Sequence, residues 1–335
     1  MCGKEMTVNI TAIPMPYGDF FIVVYEGMSG AKHVVVLDMG TQAAYRETGR
    51  EVLRQYEAID LCVLSHIHDD HIGGALKYAD DVNGGVQVPE IKQWWFNDRR
   101  VSKSSKDDSA SEPISVKHAN EIASYLSSHF DADSWRNEIK RGDIWNLDGL
   151  TIYVLSPDNV KYYDEIPCPD DDKATIPIAV SHNDYNVSIG DFDMDAFEEN
   201  DNDNNKHSMA LLLDFGGKRF LWMADTVPSV VCQSLREMGF SEEVPLECEY
   251  MTLAHHGSKG NTCLELLSLV RCDKFIVTGN GMNTYNLPNK ETLARVIHQY
   301  GEQAQFYSTS LSWQLERVFD VDRRGHIKQK NTFVM

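Results

Sequence analysis

The 335-residue sequence contains no run of about 18 apolar residues, the length that a membrane-spanning helix needs. Its N-terminal segment lacks an apolar core followed by a small-residue cleavage site, so we expect neither a secretory signal nor a membrane span. The seven cysteines are odd in number and form no C-x-x-C pair. These absences predict a cytoplasmic protein with reduced thiols rather than a disulfide scaffold.

Basic residues are scarce as well. The chain has 31 lysines and arginines against 51 aspartates and glutamates, which gives a formal net charge of −20. A field of this sign repels polyanions at long range, so we do not expect the whole surface to bind duplex nucleic acid. A nucleotide or nucleic-acid substrate is still compatible with a site where metal ions supply local positive charge.

What the sequence does contain is a regular alternation of short apolar strands and amphipathic helices. The predicted strands are 8–13, 20–25, 33–37, 61–64, 150–155, 209–215, 218–223, 250–254 and 274–278, and the predicted helices are 41–58, 227–238 and 290–300. Because strands and helices recur in a similar order in both halves, we expect one α/β domain over 1–335, built as a four-layer αββα sandwich. Polar insertions at about 98–148, mostly helical, and 158–205 interrupt the pattern.

The densest chemical signal is a group of four potential metal ligands that directly follows the predicted strand 61–64. The segment reads His66-Ile67-His68-Asp69-Asp70-His71. Imidazole and carboxylate groups are ligands for zinc, manganese and iron. On an extended segment the first two histidines point the same way and can hold one ion. The turn into a helix re-aims Asp70 and His71, which can then hold a second.

Further candidate ligands stand at the ends of three other predicted strands. Asp38 ends VVVLDMG, Asp225 ends FLWMAD, and His255 and His256 end MTLAHHGS. Taken alone, a strand-ending aspartate is more often a cap or turn residue. Together these residues indicate that candidate metal ligands lie along one edge of a sheet.

These motifs resemble the metallo-β-lactamase superfamily. The similarity rests on H-x-H-x-D-H at 66–71, the preceding LDMG, the later strand-ending aspartate and HHGS. It extends to the hydrolase domain of bacterial competence DNA-uptake channel proteins and their soluble relatives through YGDFFIVVYEG, NKHSMALLLDFGGKRFLWMAD and GNGMNTYNLP. The matches span about residues 7–310. The resemblance implies the metallo-β-lactamase sandwich of two mixed sheets.

The resemblance also implies a role for each matching residue. The implied metal ligands are His66 and His68 for a first ion, Asp70, His71 and His256 for a second, and Asp225 as a bridge. Asp70 and His255 are the candidate catalytic residues, since either can assist proton transfer. Asp38 is expected to support the ligand loop through hydrogen bonds rather than to bind metal.

The first metal site departs from the superfamily pattern. Many members supply a third histidine from a strand end between the two halves, where this chain has Asn205-Lys206-His207-Ser208. His207 is either that third ligand or an incidental loop residue, and His182 is a weaker candidate. The C-terminal segment Tyr285-Asn286-Leu287-Pro288 also lacks the histidine usual there.

The function that this pattern predicts is a metal-dependent hydrolase, a phosphodiesterase or nuclease that uses a hydroxide bridging two divalent ions. We expect zinc, with manganese as the alternative. The expected substrate is a phosphodiester, either single-stranded nucleic acid or a small nucleotide. Two alternatives remain open: hydrolysis of another ester, thioester or lactam, and a regulatory or binding module with a degenerate metal site.

Two further segments allow opposing interpretations. Trp94, Trp95 and Phe96 precede the basic residues Arg99, Arg100, Lys103 and Lys106, and the aromatic rings either stack on nucleic-acid bases or pack in the core. Residues 191–205 carry seven acids and no base before Lys206. This acidic insertion is either a solvated surface segment or a mobile border of the active site.

Overall fold

Two large mixed sheets form the centre of the protein in a computed structural model, which describes residues 7–98, 114–159, 183–200, 202–283, 285–325 and 327–335. Within these residues the first sheet consists of β1 (Val8–Ala12), β2 (Phe21–Glu26), β3 (Lys32–Leu37), β5 (Leu61–Leu64), β7 (Trp94–Phe96), β8 (Trp135–Arg136) and β19 (Thr332–Val334). Its order is β19-β1-β2-β3-β5-β7-β8. The pairs from β19 to β3 are antiparallel, and the pairs from β3 to β8 are parallel.

The second sheet repeats this combination. It consists of β9 (Ile144–Leu147), β10 (Leu150–Val154), β11 (Leu211–Phe215), β12 (Lys218–Trp222), β14 (Tyr250–Thr252), β16 (Lys274–Val277), β17 (Gln305–Ser308) and β18 (Lys328–Gln329). The order is β18-β17-β16-β14-β12-β11-β10-β9, parallel up to β12 and antiparallel beyond it. Two short parallel ribbons pair β4 (Ala58–Ile59) with β6 (Glu90–Ile91), and β13 (Leu246–Glu247) with β15 (Val270–Arg271).

Helices flank both sheets. They are α1 (Gln42–Ala44), α2 (Arg50–Leu53), α3 (Asp69–Asn83), α4 (Ile114–His129), α5 (Asp203–Lys206), α6 (Pro228–Glu237), α7 (Leu264–Ser268), α8 (Lys290–Tyr300) and α9 (Trp313–Glu316). Among the described residues, none of these helices is both long and apolar enough to cross a membrane.

Three apolar layers separate the elements. Phe21 of β2 packs between the sheets with Trp222 of β12, whereas its neighbour Ile22 faces the outer layer, because successive strand residues point to opposite sides. Outside the first sheet, α3 and α4 contribute Ile72 and Leu126 to that layer. Outside the second sheet, α6, α7 and α8 form the third layer. This order of helix, sheet, sheet and helix confirms the predicted αββα sandwich.

The parallel pairs bring the ends of several strands to one edge. Leu37 of β3 is in register with Val63 of β5, and Leu221 of β12 with Met251 of β14. The backbone N–H of Met209 donates to the carbonyl oxygen of Ser65, 3.1 Å away, and ties the two sheets together at this edge. The residues that follow these strands therefore face one another across the end of the sandwich.

The predicted helix 41–58 is shorter and less regular than expected. Thr41 caps it, since its hydroxyl accepts from the backbone N–H of Ala44 at 3.1 Å. A π-helical turn, Tyr45–Gly49, separates α1 from α2, and a Cβ atom at Gly49 would lie only 2.3 Å from the ring of Phe20. The helical segment ends at Leu53, and residues 58–59 pair as a strand instead.

The insertion at 98–148 combines a helix with strands. The described part contains α4, as the helical prediction requires, but also β8 and β9. Base stacking by Trp94, Trp95 and Phe96 was a wrong interpretation, because all three rings are at most 1% exposed in β7. The parallel neighbours β5 and β8 on either side place this strand inside its sheet. The basic cluster from Arg99 to Lys106 lies outside the described residues.

Candidate metal centre

The ligand loop occupies the junction between β5 and α3, as the motif spacing predicted. His66 follows the buried strand, and His68 has an extended backbone, with φ −70° and ψ 145°, at the N-cap of α3. Asp70 and His71 lie in the first helical turn, where the N–H of His71 donates to the carbonyl oxygen of His68 at 3.0 Å. The change from extended to helical backbone turns the two halves of the motif in different directions.

Helix α3 lies very close to the segment that follows β3. Met39 N–H donates to the carbonyl oxygen of His71, and Gly74 N–H donates to that of Gly40, both at 2.9 Å. A Cβ atom at Gly74 would lie 2.0 Å from the carbonyl oxygen of Met39. Glycine after the ligand motif thus permits the backbone approach that joins the motif to the end of β3.

Asp38 orients the ligand loop through hydrogen bonds to Ser65 and His71. Its carboxylate accepts from the N–H and the hydroxyl of Ser65, both at 2.7 Å, and from Nδ1 of His71 at 2.6 Å. Burial raises the pKa of Asp38 to about 6, although His71 and Ser65 favour the ionised form. Because Asp38 engages Nδ1, the Nε2 atom of His71 faces the other way and lies 3.2 Å from Asp225 Oδ1. These hydrogen bonds are those that the expected supporting role requires, and the expectation that Asp38 binds no metal stays a prediction.

Asp225 is buried at the centre of the cluster and divides four histidines into two pairs. Its Oδ1 atom lies 3.2 Å from His71 Nε2 and 3.7 Å from His256 Nε2. Its Oδ2 atom lies 3.5 Å from His66 Nε2 and 3.6 Å from His255 Nε2. Burial opposes ionisation of Asp225, but the surrounding histidines outweigh it and hold the pKa of this carboxyl well below its usual range. We call the surroundings of Oδ2 the first subsite and those of Oδ1 the second subsite.

The second subsite is the more compact. His256 Nε2 lies 2.9 Å from Asp70 Oδ2, and His71 Nε2 lies 3.8 Å from the same oxygen. Thr278 Oγ1 lies 2.9 Å from His256 Nδ1 and holds the other side of that ring. Burial lowers the pKa of His256, but Asp225 and Asp70 outweigh it, so the net pKa is raised. The two carboxylates therefore make this subsite strongly attractive to a cation.

The backbone after His256 requires glycine. Gly257 has φ +88°, and a Cβ atom there would lie 2.6 Å from Cβ of Pro288. The glycine of HHGS thus allows the chain to turn away from the site beneath the C-terminal loop.

The first subsite contains two neighbouring histidines. His66 Nε2 lies 2.8 Å from His68 Nδ1, and His66 Nδ1 lies 2.9 Å from the hydroxyl of Ser65. Ser208 Oγ lies 3.4 Å from the same Nδ1 and accepts from the N–H of Asp225 at 3.1 Å. Burial, aided by the nearby histidines, holds the pKa of His66 well below its usual range. A neutral imidazole is the form that binds a metal ion.

The donor set fits divalent metal ions. His71 Nε2 and Asp225 Oδ1 are both buried and neither makes a hydrogen bond, although only 3.2 Å separates them. Buried polar atoms without partners are rare in folded proteins, and a shared cation would satisfy both. Among the described residues, ligand atoms lie within 4.8 Å of one another in the groups His66–His71–Asp225, Asp70–His71–His256 and Asp19–Asp38–His71. Nitrogen and carboxylate donors suit zinc or manganese, as the sequence predicts.

The structure brings most of the predicted site residues together. Those that surround the Asp225 carboxylate are His66, His68, Asp70, His71, His255 and His256. His207 is buried just after α5, and none of the three ligand groups contains it. His182 lies outside the described residues. The metal roles of individual residues, His207 included, stay predictions.

Sequence reasoning missed several residues that hold the site. Asp19, in the turn before β2, accepts from Trp222 Nε1 at 2.8 Å and lies 3.8 Å from His256 Nδ1. Asn261 and Asn200 contact Nδ1 of His255 at 3.1 and 3.2 Å. The YGDFF segment and the asparagine after HHGS were the available signals, but nothing in their spacing shows what they contact.

The acidic insertion borders the metal centre, as one of its two interpretations predicts, although the mobility in that interpretation is a separate matter. The N–H of Asn200 donates to the carbonyl oxygen of Gly260 at 2.9 Å, and Asn204 Nδ2 lies 3.3 Å from His68 Nε2. The insertion is not entirely exposed to solvent, since Phe192, Met194 and Phe197 are half-buried. The described part of this segment is thus packed against the protein through these side chains, and its mobility stays a prediction.

No known family model matches the chain, and no curated protein is detectably similar in sequence. Several solved structures are similar in fold. The metallo-β-lactamase fold protein YhfI from Bacillus subtilis has 11% identity, with 99% of each chain covered and a TM-score of 0.44. A putative metal-dependent hydrolase from Parabacteroides distasonis has 10% identity, with 90% of this chain and 92% of that chain covered, and a TM-score of 0.43. The diiron β-hydroxylase CmlA from Streptomyces venezuelae has 10% identity and a TM-score of 0.44. The match covers 99% of this chain and 54% of that chain.

At these identities the likeness concerns the fold only. The chain's own topology is a four-layer αββα sandwich, with the cluster of histidines and aspartates at the edge where its parallel strands end. The resemblance to competence channel proteins stays a prediction from the sequence.

Proposed function

We propose that this chain is a metal-dependent phosphodiesterase that acts on small or single-stranded substrates in the cytoplasm. The observation that carries the proposal is the position of Asp225, whose two oxygens each face a separate pair of histidines. When bound, two divalent ions supply activation of water near neutral pH and neutralise charge on a phosphoryl group. A carboxylate shared by two subsites holds such ions at neighbouring positions.

Asp70 is suited to handling protons in this site. Burial opposes its ionisation, but His71 and His256 outweigh this and hold its pKa below the usual range, so it is an anion at neutral pH. Its Oδ2 atom contacts His256, and its side chain is 15% exposed. A carboxylate in this position can orient the attacking water and accept its proton.

Aromatic residues beside the metal centre support a nucleotide-like substrate. The ring of Tyr17 lies edge-on to that of His256, with 6.1 Å between centroids, and Tyr17 is half-buried. Burial, followed by the negative charge of Asp70, raises the pKa of Tyr17, so the hydroxyl stays protonated as a donor. Tyr285 is 51% exposed and also contributes to that raised pKa. Aromatic faces beside a cationic site can stack on a base while the phosphate binds metal.

The net charge favours a short substrate, and the cysteine thiols favour a cytoplasmic location. A net charge of −20 opposes the approach of long polyanions more than that of short ones. The five cysteines among the described residues are free thiols, which suits a reducing compartment.

The test is a substrate panel on the metal-loaded protein, with Asp225→Asn as the matched control. The panel contains bis-p-nitrophenyl phosphate, single-stranded DNA and RNA oligonucleotides, cyclic dinucleotides, a thioester and nitrocefin. We expect hydrolysis of at least one phosphodiester that disappears in the control. Preferred cleavage of nitrocefin or the thioester would overturn the phosphodiesterase proposal. Metal binding without any hydrolysis would favour a regulatory or binding module.

A further inference from the structure

The first subsite lacks an assigned third histidine. Two histidines, His66 and His68, and one oxygen of Asp225 surround it, whereas the second subsite has Asp70, His71, His256 and the other oxygen. Catalytic zinc commonly takes three protein ligands together with water or substrate, and a further imidazole beside Asp225 Oδ2 would raise the protein donors of the first subsite from three to four, so that the ion is held more tightly.

We infer that His255 is this third histidine ligand, through its Nε2 atom. His255 Nε2 lies 3.6 Å from Asp225 Oδ2, and His66 Nε2 lies 3.5 Å from the same oxygen. The arrangement around Oδ1 is similar, with His71 at 3.2 Å and His256 at 3.7 Å. The two adjacent histidines of HHGS therefore serve different oxygens of one bridging carboxylate. This inference deepens the proposed function because it completes the same metal centre.

The backbone explains how adjacent residues can serve two subsites. His255 and His256 both have left-handed backbones, with φ 51° and 55°, and so does Ala224, with φ 43°. Non-glycine residues seldom adopt this conformation, and they keep it where the surroundings impose it, often at functional sites. The N–H of His255 donates to the carbonyl oxygen of Ala224 at 2.8 Å. This bond joins the turn that carries both histidines to the turn that carries Asp225.

Asn261 offers an acceptor to His255 Nδ1, the ring atom that is protonated when Nε2 binds a metal ion, while the amide nitrogens of Asn200 and Asn205 lie 3.2 Å from the same atom. Asn261 is fully buried, and its Nδ2 donates to the carbonyl oxygens of Asp225 and Thr226, each at 3.1 Å. Its Oδ1 atom is therefore directed to His255 Nδ1, 3.1 Å away, as an acceptor, and it also accepts from Asn200 Nδ2 at 3.1 Å. In the tautomer with Nδ1 protonated, Nε2 carries the lone pair, and this atom lies 3.6 Å from Asp225 Oδ2. A histidine held at one nitrogen by a hydrogen bond and open at the other is the usual arrangement of a metal ligand.

The geometry also predicts that the two subsites differ in affinity. His255 is absent from the groups whose ligand atoms all lie within 4.8 Å of one another, whereas Asp70, His71 and His256 form such a group. The first subsite must therefore contract to bind an ion. The His255 side chain is 25% exposed, so it has room to make this movement. We expect the second subsite to fill first and the first subsite to bind more weakly.

The test is metal stoichiometry and affinity of the full chain, measured by calorimetric titration with zinc and by elemental analysis after dialysis. Wild type should bind two ions in two steps. His255→Ala should keep the tighter step and lose the weaker one, or weaken it at least about 10-fold, whereas His207→Ala should keep both. Asn261→Ala should weaken only the weaker step, about 10-fold to 100-fold.

Two outcomes would overturn the inference: two unchanged binding steps in His255→Ala, or loss of one step in His207→Ala with His255→Ala unaffected. Circular dichroism of each variant ensures that a lost step is not lost folding. If His255→Ala itself unfolds, His255→Gln serves as the second variant, with the same expected loss. Because the readout is metal binding, the inference can hold even if no phosphodiester is cleaved, so the two failures are distinguishable.

Discussion

Arg295 of α8 donates from Nη2 to the carbonyl oxygen of Ala196 at 3.1 Å, and this buried guanidinium anchors the acidic insertion. Its Nη1 atom donates to the carbonyl oxygen of Thr262 at 3.3 Å, and the guanidinium lies over the ring of Phe197, 5.2 Å from its centroid. An ion pair with Glu291 on the same helix completes the contacts. One side chain thus joins the insertion to the loop after HHGS.

We therefore predict that Arg295→Met destabilises the protein by about 2–3 kcal/mol, since several hydrogen bonds to a charged group are lost together. Urea denaturation followed by circular dichroism measures the change. Arg236→Ala is the control, because Arg236 makes an exposed ion pair with Glu265 and should have little effect. Equal stabilities of the two variants would contradict the anchoring role.

The insertion should influence the choice of substrate through its charge. Asp191, Asp193 and Asp195 are exposed, and the segment reaches the cleft at Asn200. The triple variant in which all three become asparagine removes three charges without disturbing the buried contacts of Phe197. We expect higher activity on an oligonucleotide relative to bis-p-nitrophenyl phosphate, and a smaller gain in salt above about 0.1 M, where charges beyond about 10 Å are screened. A ratio that does not change with salt would show that these carboxylates are only solvated surface.

The sequence predicted the ligand loop because its geometry is local. Four candidate ligands lie within six residues between a buried strand and a helix, and this short spacing keeps their side chains close together. Asp225 and His256 were also predictable, since each follows an apolar strand of a sheet whose parallel strands end together. These features need only strand, loop and helix periodicity.

The pairing of histidines with the two oxygens of Asp225 was not predictable in this way. It depends on left-handed backbones at Ala224, His255 and His256, and only glycine signals that conformation reliably in a sequence. The anchoring of Phe197 depends on Arg295, almost a hundred residues later. The aromatic strand β7 shows a third limit, because an apolar run buried on both faces has no alternation to distinguish core from binding platform.

A buried ion pair beneath the C-terminal loop should make stability depend on pH. Lys290 is fully buried and lies 2.6 Å from Asp322, and it also donates to the carbonyl oxygen of Tyr185 at 3.2 Å. Burial opposes ionisation of Asp322, but Lys290 and backbone donors outweigh it and lower its pKa. Its contribution to stability is therefore present above the ordinary aspartate pKa of about 4, and it is lost as the pH falls through the lower folded value.

We predict that Asp322→Asn destabilises the protein strongly at pH 7, because it leaves the charge of Lys290 buried without its partner. The difference from wild type should shrink as the pH falls below about 4. Asp320→Asn is the matched control, since Asp320 pairs with Arg317 at the surface. Unfolding free energies measured across this pH range test the prediction, and a deficit in Asp322→Asn that is constant with pH would contradict it.

Hydrolysis should depend far more on Asp70 than on His207. Asp70 contacts His256 and lies near His71 in the second subsite, and we place it at the attacking water. Even outer contacts of a metal site typically contribute 10-fold to 100-fold, and Asp70 lies in the subsite itself, so Asp70→Ala should lose on the order of 100-fold or more in kcat/KM. His207→Ala should lose much less. Comparable losses in the two variants would show that His207 belongs to the metal centre.

Metal ions should stabilise the fold through Asp225 in particular. Any ligand that binds only the folded state adds stability, about 2.7 kcal/mol when its free concentration is 100 times Kd. Zinc should therefore raise the unfolding temperature of wild type by several degrees, and a chelator should reverse the rise. Asp225→Asn removes the carboxylate shared by both subsites, so its unfolding temperature should barely respond to zinc. Asp214→Asn, which changes a carboxylate paired with Arg219 on the β11–β12 hairpin, should respond as wild type does. If Asp225→Asn were stabilised by zinc as much as wild type, the ions would not be bound between the two histidine pairs.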